Sequence, residues 1–301
     1  MKKPLVLITG ASGFIGSRLV PYLLKQDFQV VGLTRQKNKV PNHPCLQWIS
    51  DLNDLKTDQI DYVINLAGES IGKGRWTTAR KEQLIQSRVR TTEQLYTYLR
   101  KRNIIPKRII SGSAVGYYGI DIEEKWSEVC TEDASSQDIF MSELCQKWEA
   151  VVQKYPEQNT KIIRLGVVFG MGGGILPQML LPIRFNLVGR IGTGLQPYVW
   201  IHMDDVISAI EFLIQQETTA QIFNLVAPEK VNQKSFAGLA TLILKKRPLL
   251  SLPKGLFQFL LGEQSQLILN GQYVKPKALL DAGFEFKYPT LKHALKDLLE
   301  R

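Results

Sequence analysis

The apolar and polar positions of the chain follow two rhythms. Short apolar runs occur at 4–8, 29–34, 46–50, 61–68, 108–113, 161–170 and 222–226. They are of strand length and do not alternate, as expected of strands covered on both faces. Between them the spacing turns helical, at 17–24, 77–102 and 138–149. In the long second segment, Leu84, Ile85, Val89, Leu95 and Leu99 make the stripe to be buried. Strand and helix alternate with short joins, which predicts βαβ crossovers and a doubly wound parallel sheet.

Past residue 170 the pattern changes. An apolar helix is predicted over 175–188, interrupted by Pro177 and Pro182. Further helices follow at 233–244, 256–268 and 291–299, with a break at 248–253. This predicts a main domain over 1–170, completed by 198–228, and a smaller mixed substrate lobe from 171–197 and 229–301. There is no internal repeat or low-complexity linker, so the lobes are expected to pack together.

The sharpest chemistry lies at the first strand–helix join, Thr9-Gly10-Ala11-Ser12-Gly13-Phe14-Ile15-Gly16. Gly10 permits a backbone angle that a Cβ forbids, Gly13 lets a pyrophosphate approach, and Gly16 lets helix and strand pack closely. The helix N-terminus supplies N–H groups and partial positive charge. Together these predict a Rossmann-type dinucleotide site. At the tip of the second strand stands Thr34-Arg35, with Lys37 and Lys39 nearby and no acid. A guanidinium fork suits a ribose 2′-phosphate, so NADP(H) is expected over NAD(H). Asp51, ending the third strand, either accepts from an adenine amine or caps the next turn. After Asn65, the residues Leu66, Ala67 and Gly68 offer flat backbone to a ligand at a sheet's C-terminal edge, and a loop of glycine and charge runs from Glu69 to Trp76.

Composition narrows the choice. The chain has 301 residues, 44% of them hydrophobic, ample for a large α/β unit. No apolar run reaches about 18 residues, so no membrane span is expected. Lys2-Lys3 precedes apolar residues as in a secretion signal, yet the run is short and broken by glycine. Cys45, Cys130 and Cys145 form neither a zinc spacing nor a disulfide framework, and His43, His202 and His293 are scattered. A reducing cytoplasm and no metal are expected. The net charge of +10 is spread widely and accompanied by no nucleic-acid motif. An anionic cofactor and a solvated surface account for it, so the expected partner is a small-molecule substrate, not nucleic acid.

Several motifs resemble the extended short-chain dehydrogenase/reductases: the glycine turn, Asn65-Leu66-Ala67-Gly68, and Ser111-Gly112-Ser113 leading to Tyr118-Gly119. More narrowly, 65–76 with 82–88, Gly172-Gly173-Gly174 and 200–205 resemble a bacterial and mitochondrial branch of epimerase-family proteins. Residues 247–299 are similar to that branch's small C-terminal domain of unknown function. The resemblance implies an NADP(H)-binding oxidoreductase or epimerase, or else a non-catalytic NADP(H)-binding redox sensor. It implies cofactor contacts at Gly10, Ser12, Gly13, Phe14, Ile15, Gly16, Thr34, Arg35, Leu66, Ala67, Gly68, Glu69, Arg88 and Val168. It matches Ser113 to the serine that holds the substrate oxygen, and implies that the 171–174 loop opens toward substrate.

The family's Tyr and Lys, four residues apart on a later helix, move the proton. Registered on Trp148-Glu149, those places fall at Met141 and Cys145, which do no such chemistry. Lys147 has no Tyr at the right spacing. Tyr117, Tyr118 and Glu143 are candidate substitutes, each equally readable as packing or surface. His202 is a ligand contact or a hydrogen-bonded structural histidine.

Overall fold

The apolar runs become strands because both of their faces are covered. In the computed structural model, which describes residues 3–35 and 43–300, β1 (Leu5–Thr9) carries Val6, Leu7 and Ile8 fully buried. There follow α1 (Gly16–Lys25), β2 (Gln29–Leu33), β3 (Leu46–Ile49), β4 (Tyr62–Asn65), α2 (Thr78–Lys101) and β5 (Arg108–Ala114). The middle of the chain supplies β6 (Val129–Cys130), α3 (Phe140–Gln153), β7 (Thr160–Leu165), β8 (Val167–Phe169), α4 (Leu176–Arg184), β9 (Val188–Ile191), β10 (Trp200–His202), α5 (Met203–Gln215) and β11 (Ile222–Leu225). The last part holds α6 (Gln233–Ile243), β12 (Leu250–Leu252), α7 (Lys254–Leu261), α8 (Gln266–Leu269), β13 (Tyr273–Val274), α9 (Lys277–Asp281) and α10 (Leu291–Leu299).

Seven strands make one parallel sheet in the order β11-β7-β5-β4-β1-β2-β3. This is the doubly wound, Rossmann-type arrangement. The winding reverses at β1, so the loops after β1 and β4 part and open a crevice at the strands' C-terminal ends. Helices α1 and α5 cover one face, setting Leu19, Leu23 and Ile210 on Val6 and Ile8. Helices α2 and α3 cover the other, setting Leu95, Leu99 and Val151 on Leu7 and Val63. Each such side chain contributes about 1.5–3 kcal/mol by leaving water. A third cluster joins α4, α6 and α10 around Phe169, Trp200 and Phe236. Thr77 starts α2 by accepting the Arg80 N–H at 3.2 Å.

Four joins differ from the sequence pattern. The run 161–170 is two strands, not one, because the chain turns at Gly166. The Gly166 N–H still bonds Leu225 O in the main sheet, at 3.1 Å, but the Val167 N–H bonds Val199 O, at 2.8 Å. A Cβ on Gly166 would lie 3.0 Å from Val199 O. β8 therefore pairs with β10. The helix expected over 175–188 ends at Arg184, since Asn186 adopts φ 56° and the chain enters β9. The break at 248–253 contains β12, which pairs with β9 in parallel. The helix expected over 256–268 is divided at Gly262, where φ is +60°. Lys37 and Lys39 lie outside the described residues.

No helix among the described residues is long and apolar enough to cross a membrane.

Candidate functional site

The glycine turn has the geometry its spacing predicts. Gly10 adopts φ +69°, and a Cβ on it would lie 2.7 Å from Leu66 O. A Cβ on Gly16 would meet Gly10 O at 2.3 Å, so only glycine allows this approach of helix to strand. A Cβ on Gly13 would meet only Gly10 O, at 3.1 Å, and would otherwise stand in the open cleft. Ile15 is the N-cap of α1, with no side-chain cap bond and no acid in the first turn. The Ser17 N–H is taken by Gly13 O, at 2.8 Å, and the Arg18 and Leu19 N–H groups by Ile15 O, at 3.0 and 2.9 Å, so what α1 turns toward an anion is its positive end. Ser12, Gly13 and Phe14 line a cleft of about 440 Å³ together with Ser17, Arg18, Pro21 and Met171–Gly173.

The second-strand tip joins this turn. Thr34 is buried, and its hydroxyl shares a 2.7 Å hydrogen bond with that of Ser12. The Arg35 side chain is 89% exposed and lies 4.0 Å from Glu69. Glu69 is already engaged by the Arg80 guanidinium, whose hydrogen bond holds the carboxyl below the usual carboxylate range. Arg80 also donates to Ser70 O at 2.8 Å. Arg35 is therefore a rim cation whose acidic neighbour is neutralised from the other side.

Across the crevice, Thr9 Oγ1 donates to Asn65 Oδ1 at 2.6 Å and accepts the Ala67 N–H at 3.3 Å. This fixes Leu66, Ala67 and Gly68 at the β4 exit. Arg88 lies beneath that exit. It donates to Glu69 O at 2.8 Å and to Leu84 O at 3.1 Å, and a Cβ on Gly68 would meet its Cζ at 3.1 Å. Burial pulls its guanidinium down to about 10. Arg88 thus reaches the site through the backbone it supports. Val168 is partly buried in β8 and packs on the main core.

The place expected for the acid/base pair is apolar. A Cβ on Gly116 would lie 2.9 Å from Met141 Cε. Cys145 donates to Ala114 O at 3.6 Å, and burial pushes its thiol up to about 12. Ser113 is 2% exposed, and its hydroxyl donates to Glu149 Oε1 at 2.6 Å. Arg164 holds both oxygens of Glu149, at 2.9 and 2.8 Å, and donates to the Tyr118 hydroxyl at 2.9 Å. Tyr118 in turn donates to Asn224 at 2.7 Å. The expected substrate-holding serine is thus one end of a buried charged network, and Tyr118 is locked inside it. Glu143 pairs with Lys147 on the outer side of α3, each half exposed. Tyr117 remains: partly buried, its ring centroid lies 3.5 Å from Arg164 Cζ.

Two open alternatives resolve toward structure. Asp51 accepts the Asn53 N–H at 2.8 Å as a cap. His202 accepts the Asp204 N–H at 3.1 Å, capping α5, with Asp297 3.4 Å from its other nitrogen. The 171–174 glycine loop, expected to open toward substrate, rides over Phe14. Cβ atoms on Gly173 and Gly174 would lie 2.6 and 2.7 Å from that ring. Arg18, which sequence reasoning missed, donates to Met171 O at 3.2 Å. Neither residue carries a motif. Only the fold brings 14–18 and 171–174 together.

Residues 6–225 match the NAD dependent epimerase/dehydratase family, and residues 252–298 match a domain of unknown function, DUF1731. The epimerase family protein SAR0825 of Staphylococcus aureus is 35% identical over 301 residues, covering 98% of this chain and 99% of that protein. The crystal structure of human epimerase family protein SDR39U1 with NADPH superposes with TM-score 0.88 at 30% identity, covering 99% of both chains. A nucleoside-diphosphate sugar epimerase from Corynebacterium glutamicum superposes with TM-score 0.77 at 26% identity, covering 99% of this chain and 58% of that one.

Proposed function

The chain belongs to the NAD dependent epimerase/dehydratase family, and from that premise we propose that it is an NADP(H)-binding oxidoreductase or epimerase-type enzyme acting on a small polar substrate. The observation that carries the cofactor choice is Arg35, an exposed cation at the β2 tip beside an uncapped α1 turn. The human relative crystallised with NADPH supports the same choice. Gly10 to Gly16 would hold the pyrophosphate, Arg35 the 2′-phosphate, and Leu66 to Gly68 the flat groups between. When bound, the nicotinamide supplies or accepts a hydride.

The chain's own part is to orient substrate and move a proton. The Ser113 hydroxyl hydrogen-bonds to Glu149 as donor, so its oxygen lone pairs would be left to accept from a substrate hydroxyl. Arg164 holds the Glu149 carboxyl and lies over the Tyr117 ring. Tyr117 is then the proton donor nearest to hand. The division into a main domain, 1–170 with 198–228, and a substrate lobe, 171–197 with 229–301, belongs to the same proposal.

A second reading has its own support. Met141 and Cys145 fill the acid/base place with apolar atoms, as in a protein that binds NADP(H) without turning it over. The experiment is NADPH binding by calorimetry, followed by NADPH absorbance loss against aldehydes, ketones, quinones and sugar nucleotides. Turnover that falls in Tyr117→Phe, with NADPH affinity unchanged, supports the enzyme. Tight NADPH binding without turnover on any of the panel selects the non-catalytic reading. No NADPH binding overturns both.

A further inference from the structure

The cleft beside the glycine turn has a second wall that the family motif does not include. Among the described residues lining it, Arg18 is the one charged side chain. It projects from the first turn of α1 and donates to Met171 O at 3.2 Å, across 153 residues of sequence. A Cβ on Gly172 would lie 3.6 Å from its Nη2. The loop reaches this position by passing over the Phe14 ring, which the side chains of larger residues at 173 and 174 would strike. Gly172 and Gly174 adopt φ +82° and +71°. The three glycines therefore have a physical reason: they seat the loop against the phosphate turn.

We infer that Arg18 and the Met171–Gly174 loop form the outer half of the dinucleotide site, with Arg18 the cation that meets the cofactor's diphosphate. This rests on the NADP(H) reading above. A diphosphate carries two negative charges, and backbone N–H groups with a helix dipole offset only part of that. Arg35 sits at the β2 tip and answers the 2′-phosphate instead. The Arg18 head is exposed and tied to one carbonyl, so it is free to exchange that neutral acceptor for a charged one, which is the stronger bond.

The test is cofactor affinity and release, not turnover. Arg18→Gln and Arg18→Lys are titrated with NADPH and with adenosine 2′,5′-bisphosphate, which keeps the 2′-phosphate but has a single 5′-phosphate and no nicotinamide half. Circular dichroism checks the fold. Arg18→Gln is expected to raise the NADPH Kd about tenfold, with a faster dissociation rate and a shallower salt dependence. Its effect on the bisphosphate should be smaller, and Arg18→Lys should keep most of the affinity. Gly173→Ala, which drives a methyl into Phe14, should speed NADPH release with the charge intact. An unchanged NADPH Kd and salt dependence in folded Arg18→Gln overturns the inference, as does equal loss for both ligands. Failure of the unaltered protein to bind NADPH would instead overturn the cofactor reading itself.

Discussion

On the proposed reading, Arg35 is the residue that selects the 2′-phosphate. Its guanidinium is exposed, and its carboxylate neighbour Glu69 is engaged by Arg80. Charge-assisted bonds from Arg35 to a 2′-phosphate are worth about 1.5–3 kcal/mol. Arg35→Asp is therefore expected to weaken NADPH by one to two orders of magnitude and NADH far less, measured by calorimetry. Equal losses would make Arg35 a bystander. The Glu149–Arg164 pair is the opposite case, buried at both ends. Glu149→Ala leaves Arg164 charged in the interior without its carboxylate, keeping only the neutral acceptors Tyr118 and Glu132 O, at about 3–5 kcal/mol of stability in urea unfolding. A loss under 1 kcal/mol would mean that water or Glu132 takes over the guanidinium. The glycines of the first turn were legible in the sequence because their requirement is local, a φ angle and a close approach. The commitment of Ser113 to Glu149 was not, because its partner lies 36 residues away and only the packing of α3 on β5 delivers it.

At the scale of elements, strands covered on both faces announced themselves and joins did not. β1, β2, β4 and β5 bury apolar residues on both faces because helices lie on either side. The turn at Gly166 has no such signal, since the apolar run continues through it into β8. What moves β8 out of the main sheet is β10, whose residues arrive from 200–202. The start of α5 shows the same dependence on distant chain. His202 caps the helix, while Asp205 accepts the backbone N–H groups of Lys287 and Tyr288 at 2.7 and 3.0 Å. The His202 ring also lies 3.8 Å from that of Tyr288. His202→Ala is expected to cost about 1–2 kcal/mol in urea unfolding through the lost cap. NADPH affinity should stay unchanged, because these contacts face α10 and its approach. A loss of cofactor binding without a loss of stability would return His202 to the site.

At the scale of the molecule, the question is whether the main sheet and the later segments unfold as one. The sequence contains no linker, and the structure ties the two regions at several separate places. Asn224 in β11 donates to Lys275 O at 3.1 Å, and Glu132 accepts the Ala278 N–H at 3.1 Å. Gln264 donates to Ile71 O and Gly74 O, at 3.1 and 2.6 Å, so the segment after α7 holds the loop beside the β4 exit. Lys81 and Glu263 add an ion pair at 2.6 Å next to it. Each tie is weak alone, at about 0.5–1.5 kcal/mol, but each crosses between regions that would otherwise open separately. One cooperative urea transition is therefore expected. A ligand that binds only the folded state at 100 times its Kd adds about 2.7 kcal/mol, and NADPH at that level should shift the entire transition by this amount. Hydrogen exchange should then slow in α10 as well as in β1 and α1. Two transitions, with only the first region's moving under NADPH, would show that the ties do not couple the lobes. Weakening the ties at the crevice side by Gln264→Ala should speed amide exchange in 70–76 ahead of any global loss. Unchanged exchange there would remove the C-terminal segment from the architecture of the site.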